Sequence, residues 1–298
     1  MSKSVDFSCK HHILIRNPDG SFSHMDEPYF QAEQIAPCTW KILSSGDYSY
    51  LFEGEKEAVA IDTGYGAGNL REFLQTLTKK PVRNVINTHS HFDHSANNGY
   101  FEKAYMAKTG IPYATIPYKS FEGIDFPQDY ERVGISEGFL YDLGGRELEV
   151  FDIPDHTDDG IALLDRKGRL LITGDEFMVF GKTLRVTVAT FMGYLEKLMA
   201  HRKEFDRLVC GGGVLNAKLL DDYYSCAKLI LSGDKGQPDT GGGHKGPPPM
   251  PAGPNGETVY DRIMPHPGDG GSGAPRPAGN YYIQRFGSAR IVYNLDMN

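Results

Sequence analysis

The segment that most constrains this chain is a buried strand that runs directly into a cluster of histidines. Residues 82–87 are predicted to form the strand, and His89, His91, Asp93 and His94 follow it. Alternate residues of an extended segment point the same way, so His89 and His91 can face one metal ion together. Asp93 and His94 follow the bend and can address a second ion nearby. Imidazole and carboxylate groups at this density suit Zn²⁺, with Mn²⁺ or Fe²⁺ as alternatives.

Chance clustering of solvated side chains is the alternative explanation of this segment. It would account well for a single histidine in a polar loop. Three histidines and one aspartate lie within residues 89–94, directly after a strand, and this density favours a metal site.

Length, net charge and hydropathy limit the classes of protein to which this chain can belong. The chain has 298 residues, enough for one large α/β domain or two small ones. A net charge of −8 without a basic run argues against nucleic acid as a partner. No stretch approaches the ~18 apolar residues of a membrane span, and the first 12 residues lack the apolar part of a signal peptide. We therefore expect a cytoplasmic protein without a membrane partner.

Strand-like and helix-like patterns alternate along most of the chain. Strands are indicated by short β-branched and aromatic runs between turn residues, and helices by apolar residues three and four positions apart. This order predicts sheets packed face to face with helices outside, an α/β (α+β) architecture. The predicted strands are 40–43, 48–52, 58–62, 82–87, 147–153, 161–164, 170–173, 208–210, 281–283 and 289–293, and the predicted helices are 69–79, 190–205 and 219–231.

Composition divides the chain into three parts. Residues 1–36 are predicted to form an irregular or hairpin-forming arm, and residues 37–231 the main domain. Residues 232–298 comprise a Gly/Pro-rich loop and C-terminal strands that complete the same domain. Between residues 232 and 279, 23 of 48 residues are Gly or Pro, so regular structure is improbable there. We expect this segment to lie over the metal cleft or to reach a partner subunit, the alternative being an insert without a role.

The histidine cluster resembles that of the metallo-β-lactamase superfamily, and three further motifs extend the resemblance over residues 39–216. These are Asp62-Thr63-Gly64, Pro154-Asp155-His156-Thr157 and Thr173-Gly174-Asp175. The resemblance implies a four-layer αββα sandwich. It makes His156 the third ligand of the first ion and Asp175 a bridge between two ions. Asp62 would orient a ligand histidine, unless it only forms a turn or caps a helix.

One ligand of the resembled family is missing. The family has a histidine in a Gly-His-Gly motif after a late strand, and here the position is predicted to be Gly212. The second ion then binds weakly or not at all, or solvent or substrate completes its ligands. A third alternative is replacement by His244 or His266 from the Gly/Pro-rich segment. Cys210 is a weaker candidate, with core packing as its expected role.

The function implied by the resemblance is hydrolysis without a protein nucleophile. Metal-bound hydroxide would attack the carbonyl of a small-molecule ester, lactone, thioester or amide, and Asp93 would orient the water and pass its proton to the leaving group. The flavin-dependent di-iron branch of the resembled family has His-x-Glu at this spacing. His91 stands where that branch has glutamate, and therefore argues against it. The alternative is a non-catalytic metal-binding sensor or ligand-binding protein, suggested by the missing ligand. The sequence leaves room for a homodimer.

Overall fold

The computed structural model describes nine stretches of the chain. These are residues 13–16, 21–24, 30–44, 47–64, 69–114, 130–179, 181–239, 258–261 and 279–297. His244 and His266, the two candidate replacement ligands, lie outside the described residues. The described residues form two large sheets, two small sheets and four α-helices.

The first large sheet has seven strands and carries the histidine cluster. The strands are β3 (Phe30–Ala36), β4 (Thr39–Ser44), β5 (Asp47–Glu53), β6 (Ala58–Ile61), β7 (Val82–Ile86), β8 (Lys103–Ala107) and β9 (Glu131–Ile135). They lie in chain order, and neighbours are antiparallel from β3 to β6 and parallel from β6 to β9. Helix α1 (Leu70–Leu77) links β6 to β7, and the short α2 (Phe92–Ser95) and a 3₁₀ turn at Asn98–Tyr100 lie between β7 and β8.

The second large sheet has six strands. They are β10 (Leu140–Asp142), β11 (Glu147–Asp152), β12 (Ile161–Asp165), β13 (Leu170–Gly174), β15 (Arg207–Cys210) and β16 (Gly213–Asn216). Neighbours are antiparallel except β13 and β15, which are parallel because helix α3 (Val188–Ala200) returns the chain between them. A 3₁₀ turn at Arg202–Glu204 ends this connection.

The C-terminal strands belong to a small four-stranded sheet that packs against the helix preceding them in the chain. Its order is β14-β20-β19-β17, with β14 (Lys182–Thr183), β17 (Gln237–Pro238), β19 (Tyr281–Phe286) and β20 (Ala289–Asn294). Helix α4 (Lys218–Leu231) leads from β16 towards this sheet, and a 3₁₀ turn at Leu295–Met297 follows β20. The predicted pair of C-terminal strands around Gly287 is confirmed, and Gly287 has a φ of 55°, which favours glycine at that turn.

The N-terminal strands form a sheet of their own. β1 (Ile13–Arg16) pairs antiparallel with β2 (Phe22–His24), as a hairpin requires, and parallel with β18 (Thr258–Asp261). The turn predicted at residues 17–20 lies outside the described residues.

The expectation of no regular structure across residues 232–279 is wrong at two places. Strands β17 and β18 both lie in this segment. Each obtains its hydrogen bonds from a strand outside the segment, β19 for β17 and β1 for β18. Pro238 is compatible with β17 because that strand is at the edge of its sheet.

Alternating side chains separate the core into layers. Tyr50 and Phe52 of β5 enter the core between the two large sheets, whereas Leu51 between them packs on the α1 side. On β12, Leu163 faces the inter-sheet core and Leu164 faces the core under α3 and α4. Full burial of such a side chain contributes about 1.5–3 kcal/mol. The predicted order of helix, sheet, sheet and helix is confirmed.

Helices α1 and α3 begin where a polar side chain caps them. Asn69 accepts a hydrogen bond from the Glu72 N–H at 3.1 Å at the start of α1, and Thr187 accepts one from the Thr190 N–H at 3.1 Å at the start of α3. Among the described residues no helix is long and apolar enough to cross a membrane.

Candidate metal centre

The predicted ligands lie together at one edge of the two large sheets. Each follows a strand: His89 and His91 come after β7, His156 after β11 and Asp175 directly after β13. Asp93 and His94 belong to α2, the turn of helix into which the β7 segment bends. The structure therefore brings all six predicted side chains to the same place.

Three histidines form the first group. The Nε2 atom of His89 lies 3.0 Å from Nδ1 of His91, which lies 3.2 Å from Nε2 of His156. One ring nitrogen from each residue falls within 4.8 Å of the other two. Burial lowers the pKa of His91 to about 4 and that of His156 to about 3, so both rings are neutral at neutral pH. A neutral imidazole is the state that binds a metal ion.

A second group consists of His89, His94 and Asp175, again within 4.8 Å of one another. Asp175 lies between the two groups, with Oδ1 3.6 Å from Nε2 of His94 and Oδ2 3.9 Å from Nε2 of His156. Asp93 is buried beside this group, its Oδ2 3.8 Å from His94 Nε2. Asp93 belongs to neither group of three.

Asp62 contacts the ring nitrogen of His94 that faces away from Asp175. Its Oδ1 accepts a hydrogen bond from the Thr88 N–H and its Oδ2 one from the Thr88 hydroxyl, both at 2.7 Å. Oδ2 also lies 2.9 Å from Nδ1 of His94, which leaves Nε2 directed at Asp175. The φ of Asp62 is 57°, in the left-handed region that aspartate tolerates better than most residues. The contact with His94 is the one that the family resemblance implied for Asp62.

Charge around His94 favours a cation at this group. Burial alone would lower the pKa of His94, but the carboxylates of Asp62, Asp175 and Asp93 outweigh it and raise the pKa well above its usual value. The carboxylates thus stabilise positive charge at this point, whether it is carried by a proton or by a metal ion.

Polar side chains also fix the backbone of His94. Its carbonyl oxygen accepts hydrogen bonds from Asn87 Nδ2 and from the Thr63 N–H, both at 2.8 Å. Asn98 donates to Asn87 Oδ1 at 2.8 Å. All three side chains are buried, so the helical turn that carries Asp93 and His94 is rigidly joined to the ends of β6 and β7.

In the structure Gly211, rather than the predicted Gly212, faces the second group. A Cβ atom at Gly211 would lie 2.0 Å from Asp175 Oδ1 and 3.5 Å from Cε1 of His94, so this position faces the second group. A Cβ atom at Gly212 would instead meet Met178, at 3.4 Å. Because residues 211–213 are three consecutive glycines, the sequence alone could not distinguish the two positions.

Cys210 packs in the core next to these glycines. It is buried, its Sγ lies 3.3 Å from the carbonyl oxygen of Gly213, and burial raises the pKa of its thiol to about 12. A thiol in this state is a poor metal ligand, because binding requires the thiolate.

The side chains present fit a first-row divalent ion. Three neutral imidazole nitrogens converge, and the buried Asp175 Oδ1 has no hydrogen-bond partner within the described part of the chain. Nitrogen donors with carboxylate oxygens suit Zn²⁺ and similar ions. A buried carboxylate oxygen without a hydrogen bond is costly unless a cation lies against it.

Three charged residues near the histidines, Lys182, Asp155 and Glu176, were not predicted to be part of the site. Lys182 is buried and its Nζ lies 2.7 Å from both Asp155 Oδ2 and Glu176 Oε1. In the sequence, Asp155 was visible only as part of the Pro154-Asp155-His156-Thr157 motif. Lys182 carried no signal, because it is seven residues beyond Asp175 and meets Asp155 only in the folded chain.

Comparison with known proteins establishes the family. The metallo-beta-lactamase superfamily matches residues 46–209, more than half of the chain. The chain belongs to this superfamily.

Curated relatives are distant and cover only part of the chain. An atrochrysone carboxyl ACP thioesterase of Claviceps purpurea is 21% identical over 57% of this chain and 55% of its own length. An acyl-coenzyme A thioesterase of Gallus gallus is 26% identical over 42% of this chain and 56% of its own. The chain thus spans about half the length of these two relatives. A protein of Methanocaldococcus jannaschii, named a probable metallo-hydrolase, is 25% identical over 61% of this chain and 94% of its own.

Solved structures share the fold. A metallo-beta-lactamase from Pontibacter korlensis superposes with a TM-score of 0.50 at 17% identity, over 67% of this chain and 99% of that one. A metallo-beta-lactamase from Erythrobacter litoralis has a TM-score of 0.51 at 13% identity, over 67% and 96%. At these identities the similarity shows the fold alone.

Proposed function

We propose that this protein is a metal-dependent hydrolase of small-molecule carbonyl compounds, with thioesters and esters as the first substrates to examine. The observation that carries the proposal is the convergence of His89, His91 and His156 within 4.8 Å beside Asp175. The names of the thioesterase relatives favour a thioester or ester over an amide. Zn²⁺ is the first ion to examine, with Mn²⁺ and Fe²⁺ as alternatives.

In this proposal His89, His91 and His156 hold one ion, and His94, Asp93 and Asp175 contribute to a second position. A bound divalent ion would acidify water and polarise the substrate carbonyl. Asp62 keeps His94 oriented through the Nδ1 contact, and the buried asparagines keep its backbone in place.

Asp93 is the proposed proton carrier. Its carboxylate takes the proton of the attacking water as the oxygen of that water bonds to the carbonyl carbon. When the bond from that carbon to sulfur or oxygen breaks, the same carboxylate returns the proton to the leaving thiolate or alkoxide. A carboxylate buried beside His94 is shielded from bulk water and exchanges its proton mainly with the reacting groups.

The test combines metal content with turnover. The purified chain is assayed for bound metal, stripped with a chelator, and reloaded with Zn²⁺ or Mn²⁺, while hydrolysis of a short-chain acyl thioester, an aryl ester and a lactone is followed. We expect turnover to disappear with the metal and to return on reloading. His156→Ala should lose both properties, whereas His201→Ala should keep both because His201 contacts Glu204 away from the site.

The same assay evaluates a second candidate function, a non-catalytic metal-binding sensor or ligand-binding protein. The observation that favours it is Gly211, which leaves the second group without the family's last ligand. Stoichiometric metal binding without turnover of any of the three substrates would favour the sensor and would overturn the hydrolase. The cytoplasmic location, the small-molecule substrate and the lack of a nucleic-acid partner stay predictions from the sequence.

A further inference from the structure

Below the histidines lies a buried charge cluster, which we call the Lys182 cluster: Lys182, Asp155 and Glu176. The Nζ atom of Lys182 lies 2.7 Å from one carboxylate oxygen of each partner. The side chains of Lys182, Asp155 and Glu176 are 5%, 0% and 3% exposed, so all three are shielded from solvent. Burial alone would lower the pKa of Lys182, but Glu176 and Asp155 outweigh it and raise the pKa, so the lysine stays charged.

The remaining carboxylate oxygens of the cluster are bonded to the backbone around the site. Glu176 Oε2 accepts a hydrogen bond from the backbone N–H of His156 at 2.9 Å. Asp155 Oδ1 accepts from the N–H groups of Arg185 and Val186, at 2.7 and 2.8 Å. Every one of these contacts joins segments that are distant in the sequence.

These contacts link two proposed ligands, because the contacting residues are neighbours of those ligands in the chain. Asp155 directly precedes His156, and Glu176 directly follows Asp175. Lys182 bonds to both neighbours at once, and the Glu176 carboxylate bonds to His156 itself. The loop after β11 and the end of β13 are thereby held at a set distance.

We propose that Lys182, Asp155 and Glu176 are positioning residues that set the separation of His156 from Asp175 and so determine how tightly the centre binds its ion. None of the three reaches the reacting atoms in this proposal. The inference rests on the proposed metal centre and adds to it a supporting layer that the metal ligands alone do not provide. Removing such supporting contacts typically weakens metal binding by about 10–100-fold.

A general contribution to stability is the competing explanation. Buried ion pairs are weak evidence for stability, because the desolvation of the charges offsets much of their attraction. The chain offers a matched comparison in Arg146 and Asp165, whose side chains are 3% and 0% exposed and lie 2.5 Å apart. Arg146 also donates to the carbonyl oxygen of Cys38 and to the Thr39 hydroxyl, so this pair supports the far end of the sheets.

The experiment compares Glu176→Gln with Asp165→Asn in the full chain. Glu176→Gln removes one charge and leaves Lys182 paired with Asp155, so the variant retains a balanced pair. Zn²⁺ affinity of the apo forms is measured by competition with a chromophoric chelator, and the d–d absorption of the Co²⁺ forms reports the ligand geometry. We expect at least about a tenfold loss of affinity and an altered Co²⁺ spectrum for Glu176→Gln. Asp165→Asn should change neither, whatever its effect on the melting temperature.

Asp155→Asn is the second variant, used if Glu176→Gln does not fold. The asparagine oxygen can still accept from Arg185 and Val186, while the ion pair with Lys182 is lost. A folded variant of either kind with parental Zn²⁺ affinity and Co²⁺ spectrum overturns the inference, and so does an equal loss in Asp165→Asn. If the parent chain itself binds neither ion, the proposed function fails as well, and that result is separate from the variant comparison.

Discussion

Asp62 Oδ2 lies 2.9 Å from His94 Nδ1, and both side chains are buried. Because one nitrogen of the His94 ring faces Asp62, the other faces Asp175. The same carboxylate accepts two hydrogen bonds from Thr88, the residue before His89. One aspartate thus orients a proposed ligand and fixes the strand end that carries another.

Asp62→Asn should weaken metal binding by about 10–100-fold, because the amide has one acceptor oxygen where three contacts need acceptors. Asparagine also tolerates a positive φ, so the backbone should keep its conformation. Chelator competition with the apo protein measures the effect. Asp142→Asn, which removes an exposed partner of Lys56, is the control, and equal affinities in the two variants would contradict the role of Asp62.

Asp93→Asn should leave the first ion in place while reducing kcat by about 10²–10⁴-fold, because an amide cannot accept the proton of the attacking water. Asp93 is outside the group formed by His89, His91 and His156, which supports separate effects on metal content and turnover. Elemental analysis and steady-state kinetics measure the two. Asp158→Asn, an exposed change near the same edge, is the control. Parental kcat in Asp93→Asn would refute the role.

Gly211→Ala and Gly212→Ala should differ sharply despite their adjacent positions. The methyl group at 211 would lie 2.0 Å from Asp175 Oδ1 and must displace that carboxylate, whereas the methyl group at 212 makes ordinary contacts with the flexible end of Met178 at 3.4 Å and with Cys210 Sγ at 3.7 Å. We expect Gly211→Ala to lose metal and turnover and Gly212→Ala to keep both. The metal stoichiometry and kcat/KM of the two variants are measured. Equal values of both quantities in Gly211→Ala and Gly212→Ala would show that Gly211 does not adjoin the centre.

Replacement of residues 240–278 by a short Gly/Ser linker removes β18 from the sheet that it forms with β1, but should preserve the two large sheets and the helices packed on them. The Asp239 N–H donates to the Tyr281 carbonyl oxygen at 2.7 Å, so the two ends of the segment already lie side by side. If the segment covers the cleft, as its composition and place suggest, KM should rise while metal content stays constant. Circular dichroism, elemental analysis and kinetics test this. Parental KM and kcat would leave the segment without a part in the site.

Asp222 should support the C-terminal hairpin in a pH-dependent manner. Its Oδ2 accepts from the Ser288 N–H at 2.9 Å and its Oδ1 lies 2.5 Å from Lys218 Nζ. Burial alone would raise the pKa of Asp222, but these contacts outweigh it and lower the pKa. A lowered folded-state pKa means that the stabilisation is complete above the ordinary aspartate pKa of about 4 and is lost as the pH falls below it.

Asp222→Asn should therefore lower the free energy of unfolding by about 1–2 kcal/mol at neutral pH. The difference from the parent should shrink as the pH drops below about 4. Urea unfolding over a pH series measures it. Asp221→Asn, which removes an exposed partner of Arg202, should have a smaller effect. A deficit that stays constant down to acidic pH would show that the carboxylate charge of Asp222 is irrelevant.

Four of the proposed ligands, His89, His91, Asp93 and His94, were predictable because their spacing is local, whereas His156 and Asp175 were implied only by the family resemblance. His89 and His91 follow one strand, and the strand alternation that places them together is written in consecutive residues. The layered fold was predictable from the order of strand-like and helix-like runs along the chain and from the family resemblance, whereas β12 is buried at every position and shows no alternation in its sequence. Strand β3 was not predicted, because most of its residues are exposed and polar and it gains its place by pairing with β4.

Other features depend on contacts between distant residues. Which of Gly211 and Gly212 faces Asp175 is decided by where β15 ends beside β13, and this parallel pair contains a register shift between Ile172 and Gly174. Lys182 meets Asp155 and Glu176 only after β14 has paired. Neither relationship leaves a periodic pattern that a single sequence displays.

The strand that carries Lys182 has consequences for how the protein is made. β14 obtains its partner from β20, through the pairs Lys182 with Ile291 and Thr183 with Val292, and β20 follows every proposed ligand in the chain. A nascent chain that has left the ribosome as far as α4 contains every histidine of the centre, yet β14 still lacks its neighbour. In the order of synthesis, all six proposed ligands therefore precede the strand with which the Lys182 strand pairs.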